Sequence, residues 1–135
     1  MLYLTRKEHF NAAHKLYNDN WSEEKNEKVF GKCANANWHG HNYNLFVTVK
    51  GEPNPDTGFI MNAKELGKII KREILLRFDH KNLNVDVPYF SDIQPSTENF
   101  AKVIWNLIEP HIVDCNLHCV KLQETETIFA EYFGD

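Results

Sequence analysis

The order of the predicted elements favours an α+β fold, in which an antiparallel sheet carries two helices on one face. Two strand-like segments come first, two amphipathic helices follow, and two more strand-like segments close the chain. Because the strands do not alternate with helices, a parallel sheet built from βαβ units is disfavoured. Two helices cover only one sheet face, so the other face should meet solvent or another subunit. The sequence therefore predicts a four-stranded sheet in a single domain, residues 1–135.

The first two predicted strands flank a long connection. Residues 2–13 read as the first strand, and the second runs from the His39-Gly40-His41 stretch to Lys50 with period-2 apolar residues. The connection contains a short helix candidate at residues 22–28, with Ser22 as its N-cap. Long connections in small domains are often functional. Residues 51–58 have turn chemistry, and residues 59–61 are a brief return strand at best.

The two helices are predicted from apolar residues spaced three and four apart. The first follows an Asn62 cap over residues 63–77, and the second starts at residues 96–98 and ends before Pro110. Residues 117–123 and 128–133 then form the last two predicted strands, joined by a tight turn. The apolar positions of the helices are Leu66, Ile69, Ile70, Ile74 and Phe78, then Phe100, Val103, Ile104, Leu107 and Ile108.

Composition argues against several classes of function. The net charge is −4 and there is no basic run, so nucleic acid is not an expected partner. No apolar stretch approaches the ~18 residues of a membrane span, and residues 1–7 lack the apolar core of a signal peptide. An odd number of cysteines, three, without a secretion signal favours free thiols and a cytoplasmic location.

The chemistry of the chain centres on His39-Gly40-His41. Residues i and i+2 of an extended strand point to the same face with Cα atoms roughly 6.5–7 Å apart, so two such imidazoles can reach one metal ion. Two histidines do not make a site, and the best third candidate is His14, at the end of the first strand. Three imidazoles with an open fourth position are typical of catalytic zinc, whereas structural zinc sites have four protein ligands.

For the other candidate residues, the sequence leaves two or three interpretations open. Cys33 is a fourth zinc ligand, a plain loop thiol, or a catalytic thiol whose pKa a nearby His lowers. Asp79-His80 is a solvated turn, or an orienting carboxylate beside an acid–base imidazole. Glu124 is a surface carboxylate, or a binding group for a forked N–H donor.

Eight segments of the chain carry a resemblance: residues 10–14, 29–33, 39–43, 56–58, 79–83, 86–90, 96–99 and 124–125. In this order and spacing they make the chain similar to the 6-pyruvoyl-tetrahydropterin synthase family, over nearly its whole length. The family's roles would fall on matching positions, with His14, His39 and His41 as zinc ligands. Cys33, Asp79 and His80 would form the catalytic triad, and Glu124 would hold the pterin, helped by Thr97 and Glu98.

The resemblance also implies the tunnelling fold, or T-fold. In this fold the sheets of several subunits join into a barrel, two trimers stack into a homohexamer, and active sites lie between subunits. The chain departs from the family at Trp38, where a small residue is expected, and this bears on the loop from Cys33 to His39.

The implied activity is that of a zinc-dependent carbon–oxygen lyase of tetrahydrobiopterin biosynthesis. It converts 7,8-dihydroneopterin triphosphate to 6-pyruvoyl-tetrahydropterin, eliminates triphosphate and uses no external redox cofactor. The alternative is 6-carboxytetrahydropterin synthase of queuosine biosynthesis, which uses the same fold, metal and substrate. The five-residue gap between Cys33 and His39 favours the pyruvoyl enzyme, because the sister enzyme more often has a shorter one. A zinc-binding module without turnover is disfavoured, since it would need neither Asp79-His80 nor Glu124.

Overall fold

The computed structural model describes residues Met1–Asp135, which form one five-stranded sheet in the order β3-β1-β2-β4-β5. All strand pairs are antiparallel except β1–β3, which is parallel. The α+β prediction is confirmed, but the predicted count of four strands is wrong by one. The missed strand, β3, has two residues, which is too short to show a period-2 pattern. The strands are β1 (Leu2–His14), β2 (His39–Gly51), β3 (Lys81–Asn82), β4 (Asn116–Gln123) and β5 (Phe129–Tyr132).

The long pairing of β1 with β2 determines the geometry of the site. The register runs without interruption from Leu2 opposite Gly51 to His14 opposite His39. Alternate residues of both strands are buried against the helices, as the period-2 pattern predicts. The side chains on the opposite face are exposed or half-buried, and there the Thr5 and Thr48 hydroxyls lie 2.7 Å apart.

The two predicted amphipathic helices form behind their predicted caps. The Asn62 side chain accepts the Lys64 N–H in front of α2 (Ala63–Ile70), and Ser96 Oγ accepts the Asn99 N–H in front of α4 (Thr97–Ile108). After α2 the chain continues through a π-helical segment, Lys71–Leu75, into α3 (Leu76–Phe78). The π-helical turn was not predicted, because apolar spacing does not distinguish i→i+5 from i→i+4 hydrogen bonding.

The connection between β1 and β2 is partly helical. Helix α1 (Glu23–Phe30) forms as predicted, with Ser22 Oγ accepting the Lys25 N–H. A 3₁₀ helix, Gly31–Ala34, follows and carries Cys33, where sequence analysis predicts a loop. Residues 59–61 form no strand. None of the helices has the length and apolarity needed to cross a membrane.

An aromatic cluster joins the sheet to α4 directly below the strand ends. The ring of Phe100 lies 5.7 Å from Phe10, 5.4 Å from Tyr43 and 4.9 Å from Phe78, measured between centroids. Such edge-to-face contacts add about 0.5–1.5 kcal/mol per pair to the burial of the rings. The apolar core ends at His14, a histidine that is only 1% exposed. A buried polar side chain at this point requires partners, and these make up the site.

Candidate metal centre and active site

Three histidines meet where β1 ends and β2 begins. His14 is the last residue of β1, and His39 and His41 are the first and third residues of β2. Because His14 pairs with His39 in the register, all three imidazoles emerge on the same sheet face. Their ring centroids lie 4.5–4.9 Å apart, and their potential ligand atoms all fall within 4.8 Å of one another. The structure thus brings together the three predicted ligands from two strands.

The geometry and chemistry of this cluster fit a divalent metal. Nε2 of His41 lies 3.1 Å from Nε2 of His14, close to the roughly 3.3–3.4 Å between ligands of tetrahedral zinc. His14 Nδ1 donates to the Pro95 carbonyl at 2.7 Å, which leaves Nε2 with its lone pair toward the cluster. His39 Nδ1 is buried without a partner. Burial lowers the pKa of all three imidazoles and so favours the neutral form that binds metal.

A carboxylate lies beside the cluster on the β4 side. Glu124 directly follows β4, and its Oε1 lies 3.2 Å from His41 Nε2. The Thr97 hydroxyl, in the first turn of α4, donates to the other carboxylate oxygen. Two of the three predicted pterin-binding residues therefore lie beside the histidines. The third, Glu98, is exposed in the same turn, and its side chain makes no hydrogen bond in the chain.

Cys33 lies beside this cluster but outside the group of metal-ligand atoms. The Leu16 N–H donates to the Cys33 carbonyl at 2.7 Å, which ties the 3₁₀ helix to the chain just beyond His14. The group of ligand atoms within 4.8 Å contains the three histidines and no cysteine. Burial, and then the negative charge of Glu124, raise the pKa of the Cys33 thiol. This position disfavours Cys33 as a fourth zinc ligand.

The Asp79-His80 pair lies at the sheet edge between α3 and β3. Asp79 Oδ1 accepts the Asn11 N–H at 2.9 Å and lies 3.0 Å from His80 Nδ1, while the His80 N–H donates to the Asn11 carbonyl at 2.6 Å. The Asn11 N–H is the main cause of a lowered Asp79 pKa. The His80 side chain is 83% exposed and has no contact with Cys33. One chain alone does not assemble the predicted triad.

Trp38 occupies a backbone conformation that explains why a small residue is expected at this position. Its φ is +59°, in the left-handed region where glycine has no steric penalty. The Trp38 ring lies 5.6 Å from Lys15 Nζ, and the Tyr17 ring lies 4.7 Å from the same atom. Sequence analysis missed these two cation–π contacts, as well as the Pro95 carbonyl that orients His14. Every residue has a carbonyl group, so no sequence pattern indicates the one that is used.

Comparisons with known proteins show what the whole chain resembles. The family model described as 6-pyruvoyl tetrahydropterin synthase matches residues 3–135. A Homo sapiens protein named 6-pyruvoyl tetrahydrobiopterin synthase is 44% identical over 132 residues, 98% of this chain and 91% of that protein. A Bacillus subtilis protein named 6-carboxy-5,6,7,8-tetrahydropterin synthase is 29% identical over 109 residues, 76% of this chain and 70% of that protein.

A solved structure extends the likeness to the whole fold. The Caenorhabditis elegans 6-pyruvoyl tetrahydropterin synthase superposes with a TM-score of 0.93 at 32% identity, covering 99% of this chain and 96% of that one. The expected T-fold is thereby confirmed. Because the match spans both the histidine-bearing strands and the helices that support them, the chain belongs to the 6-pyruvoyl tetrahydropterin synthase family.

Proposed function

We propose that the protein is a zinc-dependent 6-pyruvoyl tetrahydropterin synthase. It converts 7,8-dihydroneopterin triphosphate to 6-pyruvoyl tetrahydropterin and eliminates triphosphate. The observation that carries this proposal is the placement of three imidazoles with an open side next to the Glu124–Thr97 pair. A closed structural metal site would have a fourth protein ligand. It would have no use for a substrate-binding carboxylate beside the metal.

The proposed metal ligands and the proposed pterin-binding residues have separate roles. His14, His39 and His41 hold the zinc, which when bound polarises the substrate's side-chain hydroxyls and acidifies the neighbouring C–H bonds. Glu124 presents two carboxylate oxygens to the adjacent N–H groups of the pterin ring. Thr97 orients that carboxylate through its hydroxyl, and Glu98 assists from the next position of α4. Fixing the ring in this way aligns the side chain for reaction.

Cys33 acts as the base that removes and returns carbon-bound protons. Within one chain its thiolate is disfavoured by burial and by Glu124, so it requires a cationic neighbour. His80 supplies this charge, and Asp79 holds the imidazole through the 3.0 Å contact to Nδ1. Because His80 is exposed at the sheet edge of its own chain, it serves the Cys33 of a neighbouring subunit.

The same reasoning supports a homohexamer built as a dimer of trimers. The sheet face opposite the helices is uncovered, and His80 is available at the sheet edge. Light scattering at micromolar concentration should therefore give a hexamer, or at least a trimer. A stable, active monomer would contradict the shared active site.

Product identity is the decisive experiment. The zinc-loaded protein is incubated with 7,8-dihydroneopterin triphosphate, and the pterin product is identified by mass. A 6-pyruvoyl product supports the proposal. A 6-carboxy product would assign the chain to the activity named for the Bacillus subtilis relative, and zinc binding without turnover would leave a non-catalytic module.

A further inference from the structure

A polar cavity of about 510 Å³ lies between the segment that follows β1, helix α1 and the 3₁₀ helix, and it has no role in the site described above. Lys15 lines it, directly after the metal ligand His14, and so does Lys32, directly before Cys33. The cavity is thus lined by the sequence neighbours of a proposed zinc ligand and of the proposed base, and the hydrogen bond from the Leu16 N–H to the Cys33 carbonyl holds these two segments together. Its volume lies within the range of small-molecule sites, roughly 300–1,000 Å³.

The two lysines in this cavity have no carboxylate partner. Neither Lys15 nor Lys32 forms a salt bridge or a side-chain hydrogen bond in the chain. Lys15 Nζ is instead held over the rings of Tyr17 and Trp38, at 4.7 and 5.6 Å from their centroids. Cation–π contacts of this kind position an ammonium group and leave its N–H donors free for a ligand. The Asn35 side-chain amide, which also makes no hydrogen bond, adds two more donors to the cavity.

The side of the cavity formed by helix α1 carries negative charge. Glu23 and Glu27 line it, and both are exposed. Their repulsion of an anion is weakened by solvent, whereas a direct contact with an ammonium group is a charge-assisted hydrogen bond. This arrangement predicts effects of opposite sign for substitutions on the two sides.

We infer that this cavity is the triphosphate subsite, with Lys15 and Lys32 as the residues that bind the polyanion of the substrate and of the released triphosphate. The inference rests on the proposed function for the identity of the ligand. It also explains how a chain of net charge −4 holds a polyanion, since local cations decide the contact. A phosphate chain held here keeps the leaving group beside the atoms that react next to His14 and Cys33.

Binding of inorganic triphosphate tests the subsite without any turnover. Calorimetric titrations use metal-free and zinc-loaded protein, so that chelation of zinc by the probe is separated from binding to the cavity. Lys15→Gln and Lys32→Gln should each weaken binding by roughly 10- to 100-fold, the usual worth of a hydrogen bond to a charged group. Glu27→Gln should strengthen it by a few-fold. The control is Lys25→Gln, whose ammonium also lies over an aromatic ring, at 4.3 Å from the Trp21 centroid, but outside the cavity.

Steady-state kinetics tests the same residues with the substrate. Lys15→Gln and Lys32→Gln should raise the KM for 7,8-dihydroneopterin triphosphate by a similar factor and leave the affinity for phosphate-free neopterin unchanged. Unchanged triphosphate affinity in both lysine variants, with wild-type metal content, would overturn the inference. If the wild-type protein forms no pterin product, the proposed function fails, and the titrations with inorganic triphosphate still decide whether the cavity binds a polyanion.

Discussion

The metal-binding cluster and the Asp79-His80 pair are built in opposite ways. The three histidines are held by the register of two 13-residue strands, and His14 is 1% exposed. The pair lies between α3 and a two-residue strand, and its imidazole is 83% exposed. His14 and His41 have polar partners within the chain, Pro95 and Glu124. The polar contacts of His80 are with Asp79 and Asn11, next to it at the sheet edge.

This difference fits the proposal that the active site is divided between subunits. Groups that must hold a fixed geometry lie on the most extensively paired strands, where packing and second-layer hydrogen bonds restrict them. If His80 serves the site of a neighbouring subunit, as we propose, its imidazole has to be exposed in its own chain. His80 also has a φ of +62°, a conformation that is uncommon for a residue with a side chain. Such strain is often found at functional sites.

Removal of a metal ligand should give the largest effect. In His39→Ala, two imidazoles remain, and we expect zinc and activity to be lost together because two ligands bind zinc far more weakly than three. Metal analysis and product formation on the same sample measure both. His111→Ala, which removes a histidine outside the cluster, should leave both unchanged. Full zinc content in His39→Ala would remove His39 from the ligand set.

Cys33→Ala should separate catalysis from metal binding. Turnover should fall by about 10²–10⁴-fold, the usual contribution of a positioned acid or base. One zinc per chain should remain because Cys33 lies outside the ligand group, and pterin binding should persist because Glu124 is untouched. Loss of zinc would make Cys33 a ligand, and near-normal turnover would make it a bystander.

Co-expression of two inactive variants tests whether His80 serves a neighbouring subunit. Cys33→Ala and His80→Ala chains, carrying different tags, are purified as mixed oligomers. If each site combines Cys33 of one chain with His80 of another, about a quarter of the sites regain both residues. Homo-oligomers of each variant provide the background. Mixed oligomers no more active than this background would place both residues in one chain.

The smallest effect should come from the charge of Asp79. Its pKa is lowered in the folded chain, so ionised Asp79 stabilises the fold above the carboxyl's ordinary pKa of about 4. That stabilisation is lost as pH falls through the lowered value. Asp79→Asn keeps an oxygen that accepts the Asn11 N–H, so it should lower the unfolding temperature slightly at neutral pH. Thermal unfolding from pH 7 to pH 2 should show the two proteins converging, and a constant difference would rule out the charge as its cause.

Much of the candidate site could be predicted from the sequence, from residue spacing within one strand and from the order of the motifs. The i, i+2 histidines, the end of the first strand and the capping residues Asn62 and Ser96 all express local rules of backbone geometry. These rules depend on residues within one turn or one strand. Sequence similarity to a family then supplied roles for Cys33, Glu124 and Thr97, which local rules left open.

Three features depended on contacts between distant parts of the chain. The two-residue strand β3 exists because β1 offers it an edge, the Pro95 carbonyl reaches His14 across 81 residues, and Lys15 lies over Trp38 only after the connection folds. Sequence alone therefore determined which residues share a strand face and how the helices begin. Tertiary structure decided which of these faces meet, because side-chain partners far apart in sequence are selected by the packing of the whole chain, which a local pattern does not encode.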